Sequence, residues 1–475
     1  MEWGSGISVF LRFAIKTFLG PVVLALAVTV TPRGAAAQDP QAELGPAELL
    51  ELIKTNGKYA FAAAAADIDA AQARLDGALS NLFPKLTGTV SAKRFESKKR
   101  AETRNSDVIS KLELVQPIYD FGQTYSRVKA ARSNKLAAQE RLRIARNIVL
   151  QEGLAVFFNL HTSDLTLHSL NQAHAQAYVR WNRSKERLSL GRTDAIDVSE
   201  RLALVEQTRL LYYRQRSLNG SLRLRLEGLT GTAFSGEMID SPKPPASRPK
   251  NVDMDKLLAL AEKNNPEIAA LARHAEALAF ERDGTAARPR IEAYGNLVGN
   301  TREAKGRDDW AFGARLTIPF YDGGVKEAER SRLSAEHRGV MAEFEVRRRT
   351  LRRQIREGVL ARNDSWQQII AAQAELDVAG RRLAQRQRLY EQERVADLGT
   401  GMIDFSRSEA TLMQAIGAFY VDSARLAALI GEDPSRGMKV NFLVEIMGSA
   451  DTPDNQQYTP KEGSGFGQPD QDKIN

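Results

Sequence analysis

Few side chains in this chain of 475 residues could bind a metal or perform nucleophilic chemistry. It has five histidines and no cysteine. His161 and His168 share a predicted helix face, but they are two turns and about 10 Å apart, which is too far to chelate one ion. The sequence contains no phosphate-binding glycine loop, no nucleophile elbow and no HExxH. We therefore expect no catalytic residue, no bound metal and no cofactor.

The densest charge is a cluster of arginines within a long predicted helix: Arg347, Arg348, Arg349, Arg352, Arg353 and Arg356. The cluster could attract anions, but such a run is more typical of a solvated or acid-paired face. The whole chain has a formal net charge of +8. A basic coiled coil that binds nucleic acid is an alternative, and it requires that the chain is not exported.

The N-terminal segment, 1–37, has the pattern of a secretory signal peptide. Two basic residues precede the apolar run from Phe18 to Val30, and small residues end at Ala37. The run is too short for a retained span. We expect cleavage before Gln38, with no lipid anchor because the chain has no cysteine. No later stretch reaches the roughly 18 apolar residues of a membrane helix, so any membrane span must be built from strands.

Two matching motifs, 202 positions apart, indicate a duplication. They run from Gln116 to Gly122 and from Ile318 to Gly324. Each closes a strand-like run and opens a long helical run, and Asp120 with Gln123 fits a capping box. We interpret eight of their residues as strand-to-helix junctions: Pro117, Tyr119, Asp120, Gly122, Pro319, Tyr321, Asp322 and Gly324.

The two halves have the same predicted order of elements. The first repeat, 38–231, contains helices, two strands within about 85–116, a long helix at 122–189 and a returning helix at 195–229. After a linker at 232–253, the second repeat, 254–431, contains strands within about 290–318, a long helix at 324–396 and a returning helix at 403–430. The C-terminal extension, 432–475, is expected to be largely disordered from 448.

Each long helix carries a narrow stripe of small apolar residues, which favours close coiled-coil packing. The stripes are Val128, Ala131, Ala138, Leu142, Ala145 and Val149 in the first helix, and Val325, Ala328, Ala335, Gly339, Ala342 and Val346 in the second. In each half, two shorter helices have lengths that nearly sum to that of the long one. We therefore expect the short helices to stack end to end against it.

The strands alternate apolar and polar residues, which predicts one apolar face. Strands of about ten residues with such a face are typical of transmembrane barrels. Four strands cannot close a barrel, and an open edge in lipid leaves backbone groups unsatisfied. Closure therefore requires several chains, with eight strands from two or twelve from three. Two soluble hairpins packed on helices are the alternative.

In these features the chain resembles the TolC family of outer-membrane efflux and secretion channels. The resemblance covers nearly all of the mature chain to about Gly431. It rests on the duplicated motif, on the segments 82–86 and 264–268, and on two glycine turns at 190–194 and 398–401. It implies a mainly α fold with β, in which a long α-helical coiled-coil barrel continues into a transmembrane β-barrel. Each chain would supply four strands and each trimer twelve.

The resemblance also implies roles for residues at the far ends of the long helices. Two turns match those at which an adaptor protein docks: Leu190, Gly191 and Arg192, and Leu398, Gly399 and Thr400. Asp404 falls where the family often places a pore-lining carboxylate, and three copies would form an acidic ring that attracts cations. Arg407 stands where a second acid often occurs, so the sequence does not decide the net charge of this gate. The alternative role for Asp404 is an acid favoured by the dipole at a helix N-terminus.

The functional hypothesis is a passive exit duct of a tripartite efflux pump or type I secretion system. Its expected partners are two further copies of itself, a periplasmic adaptor, an ABC or proton-driven inner-membrane transporter, and outer-membrane lipid, without nucleic acid. The expected location is the outer membrane, with an extension into the periplasm. The alternative is a periplasmic coiled-coil adaptor or scaffold without a channel, which would need a compact β-rich module beside one helical hairpin.

Overall fold

The computed structural model describes residues 45–94, 106–232, 242–300, 309–392 and 397–447. The predicted signal peptide and the tail from 448 lie outside the described residues, as does part of the linker. The described helices are α1 (Pro46–Asn56), α2 (Ala62–Ser80), α3 (Gln123–Ser189), α4 (Ala195–Thr230), α5 (Met254–Asn264), α6 (Pro266–Gly284), α7 (Val325–Glu391), α8 (Leu398–Leu429) and α9 (Phe442–Met447). The strands are β1 (Lys85–Arg94), β2 (Ser106–Tyr119), β3 (Arg290–Asn300) and β4 (Trp310–Thr317).

The four strands form one antiparallel sheet in the order β1-β2-β3-β4. Lys85 pairs with Val115, Glu113 with Asn296, and Glu292 with Arg315. Since side chains alternate across a strand, this register places most polar side chains on one face and the apolar ones on the other. The apolar face includes exposed side chains of all four strands: Leu86, Val90, Leu112, Leu114, Leu297, Trp310, Phe312 and Leu316.

The helices continue the order of the strands. Next to the sheet, neighbouring helices follow the sequence α2, α3, α6, α7, and farther away they follow α4, α3, α8, α7. The short helices therefore stack end to end along each long helix, as the sequence analysis predicted. The side chain of Asn265 joins two of them, since its Oδ1 accepts from the backbone of Glu267 and Ile268 while its Nδ2 donates to the carbonyl of Leu429 at 2.9 Å.

The apolar core lies where the short helices meet, about midway along α3 and α7. One cluster surrounds Phe157 and Phe419, and the other surrounds Leu351 and Phe442. Phe442 belongs to α9, so part of the predicted C-terminal extension is packed against the helices. Among the described helices, none is both long enough and apolar enough to cross a membrane.

The two predicted helix stripes have different surroundings. The stripe on α3 is buried or half-buried against neighbouring helices, whereas every residue of the stripe on α7 is exposed in the single chain. Val325 and Val346, at its two ends, are 68% and 64% exposed. Since water-exposed valine is unfavourable compared with a packed one, the exposed stripe leaves α7 with an unpartnered face.

The duplicated motifs share one hydrogen-bonding pattern at the start of each long helix. Asp120 accepts from the backbone nitrogens of Gly122 at 3.1 Å and Thr124 at 2.6 Å. Asp322 accepts in the same way from Gly324 and Lys326. The predicted capping box is wrong, because Gly122 is the N-cap and the Gln123 side chain donates to the carbonyl of Ala286 instead.

We expect Gly122→Ala to lower the free energy of unfolding by about 1–2 kcal/mol, because Gly122 has φ +85, a left-handed conformation that costs an L-residue about that much. Gly324→Ala, at φ +83, should behave alike. Chemical denaturation followed by circular dichroism measures the effect. Gly220→Ala is the matched control, since Gly220 lies inside α4 with open space around it and alanine favours helix there. Equal effects at all three positions would contradict the argument.

Candidate functional site at the ends of the long helices

The first predicted docking turn is a tight helix-to-helix connection. Helix α3 ends at Ser189, Gly191 has φ +64, and the backbone nitrogen of Arg192 donates to the carbonyl of Arg187 at 2.8 Å. Leu190 is 65% exposed. The turn therefore presents an apolar side chain and a basic one at the end of the molecule that is farthest from the sheet.

Helix α4 then begins with its own carboxylate cap. Asp194 accepts from the backbone nitrogen of Asp197 at 2.8 Å. Asp197 itself accepts from Arg201 at 2.9 Å and from the Thr193 hydroxyl. The hydrogen bond from Arg201 is the main cause of the lowered pKa of Asp197. These contacts stay within the first turns of one helix.

The second predicted docking turn is not a turn. Leu398, Gly399 and Thr400 form the first turn of α8, which begins five residues earlier than the predicted helix at 403. The reason is Asp397, whose carboxylate accepts from the backbone nitrogen of Thr400 at 3.3 Å and so caps the helix. The connection between α7 and Asp397 lies outside the described residues.

Asp397 and Thr400 also bind the neighbouring long helix. Gln176 donates to Asp397 at 2.7 Å and to the Thr400 hydroxyl at 3.1 Å. Arg180, one turn farther along α3, forms a salt bridge with Asp397 and donates to Thr400 at 3.0 Å. We call these four residues the tip clamp. It fixes the start of α8 to α3 across more than 200 positions of sequence.

The charge state of the tip clamp follows from its contacts. Partial burial acts against the carboxylate of Asp397, but the hydrogen bonds from Thr400 and the positive charge of Arg180 outweigh it, so the pKa of Asp397 is lowered. Asp397 is therefore ionised at neutral and mildly acidic pH. The salt bridge with Arg180 is half-exposed, which limits its strength through solvent screening.

The gate candidates Asp404 and Arg407 follow Thr400 of the tip clamp on α8 by about one and about two helical turns. The side chain of Asp404 is 45% exposed and lies 3.8 Å from a guanidinium nitrogen of Arg386 on α7. Arg407 is exposed. Asp404 thus already has a cationic neighbour within its own chain, and the acidic ring inferred from the resemblance stays a prediction.

The arginine cluster of α7 is largely paired with acids. Arg347 and Arg352 form salt bridges with Glu267 and Glu262 of the neighbouring helices. Arg348 pairs with Glu345 at 3.2 Å and Arg353 with Glu357 at 2.8 Å, both on α7 itself. These contacts favour the acid-paired interpretation over a surface that attracts anions.

Four residues at this end of the molecule were not predicted from the sequence: Gln176, Arg180, Arg386 and Asp397. Asp397 had a detectable signal, because an Asp three residues before a Thr, ahead of an apolar run, is typical of a helix N-cap. The others had none. Gln176, Arg180 and Arg386 look like ordinary polar residues of long helices, and only the packing of α3 and α7 against α8 brings them to the site.

Comparison with known proteins gives a family match over part of the chain and a shared fold over most of it. Residues 56–232 match the family model for outer membrane efflux protein. The outer membrane protein OprJ of Pseudomonas aeruginosa is 27% identical over 318 residues, which cover 62% of this chain and 64% of OprJ. The matched region thus spans just under two thirds of that relative's length.

Solved structures extend the likeness to most of the chain. The CmeC outer membrane channel of Campylobacter jejuni gives a TM-score of 0.65 at 17% identity, covering 83% of this chain and 88% of CmeC. The open state of the MtrE outer membrane channel of Neisseria gonorrhoeae gives 0.63 at 15% identity, covering 84% and 90%. At these identities the likeness shows a shared fold: mainly helical, with a four-stranded antiparallel sheet.

Proposed function

Because this chain is a member of the TolC family of outer membrane efflux proteins, we propose that it is the exit duct of a tripartite efflux pump or type I secretion system. It conducts substrate passively from an inner-membrane transporter, through a periplasmic adaptor, across the periplasm and the outer membrane. The observation that carries this proposal is the shared lateral order of strands and helices, which leaves matching open edges.

The sheet and both sets of helices below it have their open edges on the same two sides of the chain. One side consists of β1, α2 and α4, and the other consists of β4 and α7. Placing the first side of one copy against the second side of the next pairs strand with strand and helix with helix. Repetition of that contact is heterologous and closes into a ring. We propose a homotrimer, with twelve strands and a helical tunnel continuous with them.

Side chains on both edges suit such a contact. Helix α4 exposes Leu204, Leu211 and Leu218 at seven-residue spacing, and α7 exposes Leu360, Ile370 and Val378. Leucines at this spacing are typical of helices that pack side by side. The exposed stripe forms the unpartnered face of α7 at its sheet end, and α2 of the next copy would cover it.

The proposed location and partners follow from the ring. Its apolar sheet face would contact outer-membrane lipid, and the exported, non-lipidated chain would extend into the periplasm. Leu190, Gly191 and Arg192 at the free end offer a docking surface to an adaptor, together with the first turn of α8. Asp404 and Arg407 would line the narrow end of the tunnel, where the tip clamp sets the position of α8. Energy comes from the ABC or proton-driven transporter.

Channel formation is the direct test of this function. We expect the purified, detergent-extracted protein to run as a heat-sensitive, SDS-resistant trimer and to produce discrete conductance steps in planar bilayers. We expect it in outer-membrane fractions of the cell. A soluble periplasmic monomer without conductance would instead favour the adaptor or scaffold alternative, although both halves of this chain carry a strand pair between helices, unlike an adaptor.

A further inference from the structure

We propose that the strand region of the duct selects for anions, because the polar face of the sheet carries an excess of fixed positive charge. This inference rests on the proposed ring, in which the apolar face meets lipid and the polar face lines the pore. The inference concerns the ionic selectivity of the strand region. The candidate acidic ring lies at the opposite end of the molecule.

The register assigns every charged strand residue except Arg94, the last residue of β1, to one face. The cations on this face are Lys85, Lys93, Lys111, Arg290 and Arg315, and the carboxylates are Asp107, Glu113 and Glu292. Five cations against three acids leave two positive charges per chain. Asp309, directly before β4, reduces that excess without reversing it. The statement covers the described strand residues and not the connections at 95–105 and 301–308.

Contacts between these side chains hold several of them in place. Glu292, nearly buried, accepts from Arg290 at 2.9 Å and from Arg315 at 3.1 Å. The Arg315 guanidinium also lies 5.6 Å from the centre of the Tyr294 ring, and that ring packs against Gly313. One carboxylate is thus shared by two guanidinium groups. The wall keeps a positive charge that internal pairing does not neutralise.

The rest of the excess comes from Lys85, because the other two lysines of this face each lie beside a carboxylate. Lys111 pairs with Glu113 at 2.8 Å, and Lys93 lies opposite Asp107 in the sheet. Lys85, at the other end of β1, donates to the neutral amide of Asn81 at 2.9 Å. Rings of basic side chains are the usual means by which pores favour anions. Symmetry would repeat each of these charges in every copy around the wall.

The test is the reversal potential of single channels under a gradient from about 10 to 100 mM KCl, where the screening length is about 30 to 10 Å. A unit charge about 10 Å from an ion in water changes its local concentration by a factor of about two. We therefore expect Lys85→Gln with Lys93→Gln to lower the chloride-to-potassium permeability ratio by at least about that factor. Lys85→Arg with Lys93→Arg, which keeps the charge, should leave the ratio unchanged.

A second measurement avoids any effect of the substitutions on folding. Because the chain has no cysteine, Lys93→Cys can be modified in channels already inserted in the bilayer. A negatively charged methanethiosulfonate should lower the chloride-to-potassium ratio, and a positively charged one should restore it. Conducting channels whose ratio responds to neither treatment would overturn the inference alone. A wild-type protein that never conducts would overturn the proposed function as well.

Discussion

Leu211→Asp combined with Leu218→Asp should convert the proposed trimer into monomers and abolish conductance. Both leucines lie on the open side of α4 and are 42% and 49% exposed in the single chain. In the ring, each would be covered by α7 of the next copy, and burying a leucine side chain contributes about 1.5–3 kcal/mol. An aspartate there would be buried without a partner, which costs more than the leucine gains. SDS gels without heating and bilayer recordings measure the loss.

Because these leucines are exposed in the single chain, an effect of the substitutions on assembly can be distinguished from an effect on folding. Since neither side chain belongs to the core of its own chain, the aspartate variant should keep the far-ultraviolet circular dichroism of a helical protein. Leu211→Met with Leu218→Met is the matched control, because it preserves apolar volume and should still form trimers. An aspartate variant that remains a trimer would show that this side of α4 is not a subunit contact.

Sequence patterns predicted the elements of this chain better than its contacts. Alternation and helical length gave the strands, the long helices and their end-to-end short neighbours, because these depend on local periodicity. The predicted ends of helices were wrong where a single residue determines where the helix begins. Asp397 caps α8 before the residues assigned to a turn, and Gly122 replaces the expected capping box with a left-handed N-cap.

The site was predicted less well for a physical reason. Turn residues such as Gly191 are visible because backbone geometry restricts their type. The clamp partner Arg180 is 217 positions from Asp397, and no local pattern encodes that distance. The positive excess on the sheet was likewise invisible, since it requires the register that places Glu292 opposite Arg315.

Asp397→Ala should raise the open probability of the proposed channel, because the clamp holds the start of α8 against α3 at the narrow end of the tunnel. The substitution removes the acceptor that receives hydrogen bonds from Gln176, Arg180 and Thr400. Because the salt bridge is half-exposed, we assign the clamp about 1 kcal/mol per chain. If three tips move together, the equilibrium between closed and open states shifts by roughly a hundredfold, since each 1.4 kcal/mol is a factor of ten. Bilayer recordings of open probability measure the shift.

The effect of pH on the wild-type channel tests the role of the clamp independently of any substitution. Because the pKa of Asp397 is lowered below its ordinary value of 3.8, the clamp is fully present above that value and is lost as pH falls through the lowered one. The open probability of the wild type should thus stay constant from neutral pH to about 5 and rise only under strong acid, whereas Asp397→Ala should be open throughout. Asp197→Ala is the matched control, because that carboxylate binds only its own helix end, through Thr193 and Arg201. Equal open probability of the Asp397 and Asp197 variants would mean that the position of α8 does not depend on the clamp.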